Sequence, residues 1–255
     1  MSVKQLLDLS GKVALVTGGS RGLGLQIAEA LGEMGARLAI TARKKDELDK
    51  AVSHLGNQAS AFVCDIGERE AIAPLAEEIL KKYGRVDILV NNAGATWGAP
   101  AETHPLEAWD KLVNVNLSGV FVLTQIIAAR SMIPAKWGRI INIASVAGLM
   151  GQDPRYAPTA AYTATKHGVV GLTRQLAAEW GVHGITVNAI CPGFFPSKMT
   201  KATLETTGAL IREWTPTRRL GNEEDLKGLA VLLASEASRH ITGQAIAVDG
   251  GATIV

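Results

Sequence analysis

Tyr162 and Lys166 stand four residues apart in the string Tyr162-Thr163-Ala164-Thr165-Lys166. On a helix that spacing puts both on one face, so the ammonium can sit near the phenol and favour its ionised form. A free phenol titrates near pH ~10 and is a poor base at neutrality. Lowering its pKa makes a tyrosine useful for moving protons to and from a carbinol oxygen. Ser145, after the strand pattern 140–144, would add a hydrogen bond to that oxygen, where negative charge grows as hydride arrives. Asn116 lies inside a long apolar helical pattern, where an amide competes with the backbone unless it has a partner. Each residue alone has a plainer explanation: a half-buried tyrosine beside a solvated lysine, a serine capping a loop. The conjunction with a glycine-rich turn points to chemistry.

That turn is Thr17-Gly18-Gly19-Ser20-Arg21-Gly22-Leu23-Gly24, which follows a buried-strand pattern and opens a helical run over 25–34. Glycines let the backbone turn sharply and approach a pyrophosphate, while a helix N-terminus offers unpaired N–H groups to the anion. Gly18, Ser20, Arg21, Gly22, Leu23 and Gly24 are therefore candidate cofactor contacts. Dinucleotide folds usually place an acidic residue about 20 positions further on, against the adenosine ribose. Here the second strand ends Ile40-Thr41-Ala42-Arg43, so the acid is missing. Arg43 and Arg21 could instead pair with a 2′-phosphate, which favours NADP(H) over NAD(H). The competing reading makes Arg43 the start of a solvated helix face, with Asp46 or Glu47 reaching back to the ribose. Asp65 and Ile66, after the third strand, are assigned to the cofactor, Asp65 as acceptor for the adenine amino group. Asp65 serves equally well as the cap of a helix over 67–82.

Short β-rich runs alternate with longer helical patterns, as in repeated βαβ units around a parallel sheet. Strands are expected at 12–17, 37–41, 59–63, 86–90, 139–144, 186–190 and 245–248, and long helices at 106–132 and 160–180. Nothing resembles a linker or a repeat, so residues 1–255 read as one domain. The stretch 192–219, with Pro192, Gly193, Pro196 and Pro216 around a short helical segment, reads as a mobile lid over the sheet.

Composition narrows the class. The 255 residues are 47% hydrophobic but 5% aromatic, which suits helices packed on a parallel sheet and argues against a nucleic-acid stacking surface. A net charge of +2 with dispersed basic residues leaves no polyanion footprint, so no nucleic acid partner is expected. Cys64 and Cys191 are far apart and lack metal-ligand spacing; reduced thiols, and no catalytic metal, follow. The N-terminal segment is too short and polar for a signal or a span, and the longest apolar strings are strand-sized or broken by charge. A cytoplasmic protein without membrane contact is the resulting expectation.

Asn91-Asn92-Ala93-Gly94 follows the fourth strand. With the glycine turn, Asn116, Ser145, Tyr162 and Lys166, it makes the chain resemble the classical short-chain dehydrogenase/reductase family from about Gly11 to Gly251. The resemblance implies an α/β, single-domain Rossmann fold, a seven-stranded parallel sheet flanked by helices on both faces. It implies NADP(H)-dependent exchange between a ketone and a secondary alcohol, with Tyr162 moving the proton. Asn116 would hold a water linking Lys166 to solvent. Asn91, Asn92, Ala93 and Gly94 would pack against the adenosine side of the cofactor, and Tyr162 and Lys166 would contact it near the nicotinamide ribose. Pro192 and Gly193 would lie beside the nicotinamide, and Ser197 stands where many relatives use a threonine to bond the carboxamide. A homotetramer, assembled through the helices carrying Asn116 and Tyr162 and the C-terminal strand region, is implied in the same way.

The strings Asn92-Ala93-Gly94-Ala95-Thr96-Trp97-Gly98-Ala99 and Phe195-Pro196-Ser197-Lys198-Met199-Thr200 resemble the 3-oxoacyl thioester reductase branch, including rhamnolipid-pathway ketoacyl reductases. Substrate would then be a 3-oxoacyl group on acyl carrier protein or coenzyme A. Relatives that use the carrier protein commonly have an arginine before the glutamate of Leu176-Ala177-Ala178-Glu179, which is absent here; Arg130 could supply one basic contact near the site mouth. Trp97, Met150, Phe194, Phe195 and Met199 could wall an acyl site, or simply pack lid on sheet. The same pattern resembles gluconate 5-dehydrogenase-like oxidoreductases, which makes a keto-sugar or polyol the alternative substrate. A reading from another class, an NADP(H)-binding sensor without turnover, should lack part of the tetrad, and the tetrad is whole.

Overall fold

The computed structural model describes residues 1–153 and 158–255. Seven strands, β1 (Val13–Thr17), β2 (Arg37–Ala42), β3 (Ala59–Val63), β4 (Ile88–Asn91), β5 (Gly138–Ile143), β6 (Ile185–Pro192) and β7 (Ala245–Val248), form one sheet in the order β3-β2-β1-β4-β5-β6-β7. Every pairing is parallel. The expected strands are all present, with ends displaced by at most a few residues, where hydrogen bonding rather than apolar pattern sets the limit.

Parallel strands need covering on both faces, and alternate residues of β1 show how this is met. Ala14 and Val16 face a core with Ile27, Ala28 and Leu31 of helix α1 (Gly22–Glu33) and Leu48 and Ala51 of α2 (Lys45–Leu55). Leu15 faces the other way, toward Ile72, Leu75 and Ile79 of α3 (Arg69–Tyr83) and toward two long helices. Of these, α4 runs unbroken over Leu106–Ala135 and α5 over Ala160–Trp180. The stretch 192–219 carries α6 (Lys201–Trp214), and α7 (Lys227–Ala234) closes the first core.

By length and composition α4 could cross a membrane, with a window of mean hydropathy 1.7. The sequence treats its apolar strings as interrupted by charge; the helix joins them into one element. Leu123, Ile127 and Met132 are buried against the sheet, which is how a core helix satisfies the same pattern. Two π-helical segments, Asn114–Ser118 and Ala128–Met132, interrupt its α geometry.

The chain order reverses between β1 and β4, which are neighbours in the sheet. In open α/β sheets the crevice beyond the carboxyl ends of strands at such a switch point receives the ligand.

Candidate active site

At the carboxyl end of β1 the glycine turn is held from the neighbouring strand. Thr17 Oγ1 accepts hydrogen bonds from the N–H groups of Asn92 and Ala93, each at 3.0 Å. Asn92 Nδ2 donates to Thr17 O at 2.9 Å and Gly18 O at 3.2 Å. Gly24 is needed at the same place, since a Cβ there would collide with Gly18 O and Asn92 Nδ2. Gly22 has φ +53°, and no atom lies within 4 Å of where its Cβ would be. Helix α1 starts there with no side-chain cap, so its first N–H groups face a cleft of about 840 Å³. An uncapped N-terminus and a glycine opening onto free space fit the pyrophosphate of a dinucleotide.

The cleft runs along the carboxyl edge of the sheet. Gly18, Ser20, Arg21, Gly22, Leu23, Arg43, Asp65 and Ile66 line one part. Asn92, Ala93, Gly94, Ser145, Tyr162, Lys166, Pro192, Gly193 and Ser197 line the rest. Gly24 does not face the cleft and acts through packing. Asn91, expected against the adenosine side, is buried below the turn; its Nδ2 donates to Thr124 Oγ1 and Asn142 Oδ1. It ties β4 to β5 and α4, because a strand residue one step before the turn points into the sheet rather than over it.

Ser145 is the cap of a single 3₁₀ turn, Val146–Gly148, its Oγ accepting from Ala147 N at 3.1 Å. A Cβ on Gly148 would lie 2.7 Å from Lys166 O, so α5 rests directly on that turn and Ser145 meets Tyr162 in a hydrogen bond. Lys166 Nζ donates to Ile143 O at 2.7 Å and stands 5.6 Å from the centroid of the Tyr162 ring.

The expected depression of the phenol is reversed in this arrangement. Burial pushes Tyr162 above its ordinary value, against the hydrogen bond from Ser145. Burial also pushes Lys166 from an ordinary 10.5 down to about 8. Helical spacing places the pair correctly but cannot foresee that the ammonium turns to a strand carbonyl. Cys191, behind them on β6, is raised to about 11 by burial and is an unreactive thiol.

Asn116 sits in the first π segment of α4, and its amide has the partners that its apolar surroundings demand. Its Oδ1 accepts from Ala95 N at 2.9 Å, and its Nδ2 donates to Ala95 O at 2.9 Å and Thr165 Oγ1 at 3.1 Å. A Cβ on Gly94 would lie 3.4 Å from Asn116 Oδ1 and 3.7 Å from Lys166 Nζ, which measures how closely turn, amide and lysine converge.

Two other expectations change. Arg130 pairs with Glu77 at 3.2 Å, and its neighbour Ser131 bonds both backbone groups of Val86, so it lies at the amino end of the strands, away from the cleft mouth. Of the five apolar wall candidates, Phe195 and Met199 line the cleft, and Phe195 is buried under Gly221. Ser197 Oγ lies 3.0 Å from Thr200 Oγ1 in a local turn between β6 and α6. Asp65 Oδ1 accepts from Gly67 N, holding the bend before α3 without capping the helix itself. Sequence alone does not single out Thr17, Thr165 or Lys198; common polar residues at strand ends and on helix faces carry no signal until their neighbours are known. Among the described residues no group of three or more His, Cys, Asp or Glu side chains could hold a metal ion.

Sheet order and cleft define a dinucleotide-binding α/β protein, and comparison with known proteins narrows this further. The chain belongs to the short-chain dehydrogenase/reductase family: the model described as short chain dehydrogenase matches residues 12–208. It is an oxidoreductase of that family. It is 41% identical to gluconate 5-dehydrogenase of Gluconobacter oxydans, covering 100% of this chain and 99% of that one. It is 37% identical to 3-oxoacyl-[acyl-carrier-protein] reductase of Vibrio cholerae, covering 96% and 98%. The crystal structure of a gluconate 5-dehydrogenase from Burkholderia cenocepacia with NADP and tartrate superposes with a TM-score of 0.93 at 35% identity, covering 100% of both chains.

Proposed function

We propose that the protein interconverts a ketone and a secondary alcohol with NADP(H), and that Tyr162 is the proton donor in reduction. The observation that carries this is the convergence of Ser145, Tyr162 and Lys166 on the cleft that the uncapped end of α1 also faces. When bound, the cofactor supplies hydride at its nicotinamide. Ser145 Oγ and the Tyr162 hydroxyl are joined by a hydrogen bond in which Ser145 donates; turning the Ser145 O–H from Tyr162 to an incoming carbonyl oxygen would give that oxygen two donors as charge develops there. A phenol held above its usual pKa is proton-loaded at neutral pH, the form that reduction consumes. Lys166 steadies the phenolate left behind, and Asn116 holds the Ala95 segment beside Lys166. Arg21 in the glycine turn and Arg43 after β2, both lining the cleft, support the choice of NADP(H).

For the substrate we favour a keto-sugar or sugar acid of the gluconate type over a 3-oxoacyl thioester. Arg130 is remote from the mouth and only Phe195 and Met199 of the apolar candidates reach the cleft, while Lys198 on the lid offers a cation to a carboxylate. Similarity to the Vibrio cholerae reductase keeps the acyl thioester as the second reading. The test is initial-rate NADPH oxidation, with NADH in parallel, against 5-ketogluconate, acetoacetyl-CoA and a medium-chain 3-oxoacyl carrier protein. Turnover of 5-ketogluconate supports the first reading, and preference for a thioester reverses the order. Tight NADPH binding with no turnover of any ketone would leave a binding protein. A cytoplasmic homotetramer fits this reading, since α4 leaves Leu106, Trp109 and Phe121 exposed for neighbouring subunits.

A further inference from the structure

Strand β2 ends at Ala42, Arg43 and Lys44 follow, and the first turn of α2 carries Glu47. Arg21, the residue before α1, reaches across to it, NH1 lying 2.8 Å from Glu47 Oε1. Lys44 Nζ lies 3.6 Å from the same oxygen, and Arg43 NH1 lies 3.7 Å from Asp65 Oδ2. All five side chains line the cofactor cleft. Each arginine read as a 2′-phosphate partner thus already faces a carboxylate of this chain.

The two carboxylates differ in what else they hold. Asp65 is fixed by Gly67 N at 2.9 Å and belongs to the bend before α3. Glu47 has as partners only the cations Arg21 and Lys44 among the described residues. Glu47 takes one guanidinium nitrogen, NH1, so a phosphate needing the fork that includes NH1 competes with it, and a phosphate on the remaining donors meets its negative charge. A 2′-phosphate between Arg21 and Arg43 must either displace Glu47 from Arg21 NH1 or sit beside that carboxylate, and each arrangement weakens its binding. A 2′-hydroxyl can instead donate to Glu47 with the ion pair intact.

We propose that Glu47 is a specificity-determining residue, an internal anion that occupies Arg21 in place of the 2′-phosphate and so limits the preference for NADP(H) over NAD(H). The proposal rests on the reading of Arg21 and Arg43 as 2′-phosphate partners. Dissociation constants for NADPH and NADH, from nucleotide-fluorescence titration of wild type, Glu47→Gln, Arg21→Gln and the double variant, test both. Glu47→Gln is expected to tighten NADPH about three- to ten-fold, the scale of one exposed ion pair, and to leave NADH within about two-fold. In the Arg21→Gln background the same substitution should gain less than about two-fold, because no guanidinium remains to be released. Equal tightening of both nucleotides, no change, or weaker NADPH binding in Glu47→Gln would overturn the proposal. If wild type binds NADPH no better than NADH and Arg21→Gln changes neither, the cofactor reading itself fails. A wild type that prefers NADPH and loses that preference in Arg21→Gln, with Glu47→Gln silent, rejects Glu47 alone.

Discussion

Strand β5 has a buried cation at each end, and the two are built differently. At its start Arg139, 2% exposed, donates from Nε to Ser235 O at 3.0 Å and from NH1 to Gly138 O at 3.0 Å and Gly184 O at 3.3 Å. It pairs with Glu236 at 3.5 Å and stacks on Trp137, whose indole N–H also bonds Glu236. At the other end Lys166, 5% exposed, has Ile143 O as its hydrogen-bond acceptor among the described residues. A buried charge costs stability unless its donors are satisfied. Arg139 meets that cost with a closed network: burial lowers its pKa, against the pull of Glu236, but it starts far higher and remains charged. Lys166 meets it partly, and its pKa falls to about 8. The closed network braces the amino end of β5; the open one borders the cleft, which Lys166 lines.

The sharpest break in this contrast is at the working end. Tyr162→Phe should lower turnover by roughly three orders of magnitude or more while nucleotide binding, read by fluorescence, stays within about two-fold. At the bracing end, Arg139→Met strips donors from three carbonyls and leaves Glu236 with the Trp137 indole N–H alone of the partners named above. It should destabilise the fold by about 3 kcal/mol in denaturant titration, with nucleotide binding by the folded fraction retained. The same change at the other end has the opposite sign for stability. Lys166→Met replaces an incompletely satisfied charge with an apolar chain of similar length, so the melting temperature at pH 7 should rise by a few degrees while turnover falls about 100-fold.

The pH dependence follows from the direction of the shift. Between about 8 and 10.5 the unfolded chain holds a proton on Lys166 that the folded protein has released, so stability from this group rises with pH through that window. Reduction, which needs the ammonium, should decline above about pH 8. A wild-type kcat/KM profile without that limb would show that Lys166 is not the group that titrates. The smallest effect expected is at the cofactor's far end, where Arg43→Ala should weaken NADPH about ten-fold and spare NADH.

Much of this architecture is legible in the sequence, and the exceptions share a cause. Strand periodicity and the period of α5 fix where the glycine turn, Ser145, Tyr162 and Lys166 fall, because each is local. Arg139 reads as an ordinary first residue of a strand, since its partners come from sequence positions 184 and 235–236. The sequence pattern misplaces Arg130 because α4 is long: 14 residues beyond Asn116 is about 21 Å along the axis, from one edge of the sheet to the other. Spacing gives the wrong direction for the phenol because it reports proximity and says nothing of desolvation. Asn116 is legible as an oddity, but its partner Ala95 lies in a loop that has no period to read.

The π segment Asn114–Ser118 acts as a phase adjustment between two stretches of one helix. Each residue turns an α-helix by about 100°, so a single insertion or deletion sets everything on one side out of phase with the other. Before this segment Ala108 and Leu112 face inward, and after it Leu123 and Ile127 do. Asn116 meets Ala95 within it, while Asn114 and Ser118 both accept from Arg69 of α3. Losing one residue there would let an ordinary α-turn close with nearly the same number of backbone hydrogen bonds. It would also force a choice between seating the helix on the sheet and keeping Asn116 on Ala95. Substitutions can accumulate along α4, but its length in residues is fixed at this point by the site it crosses.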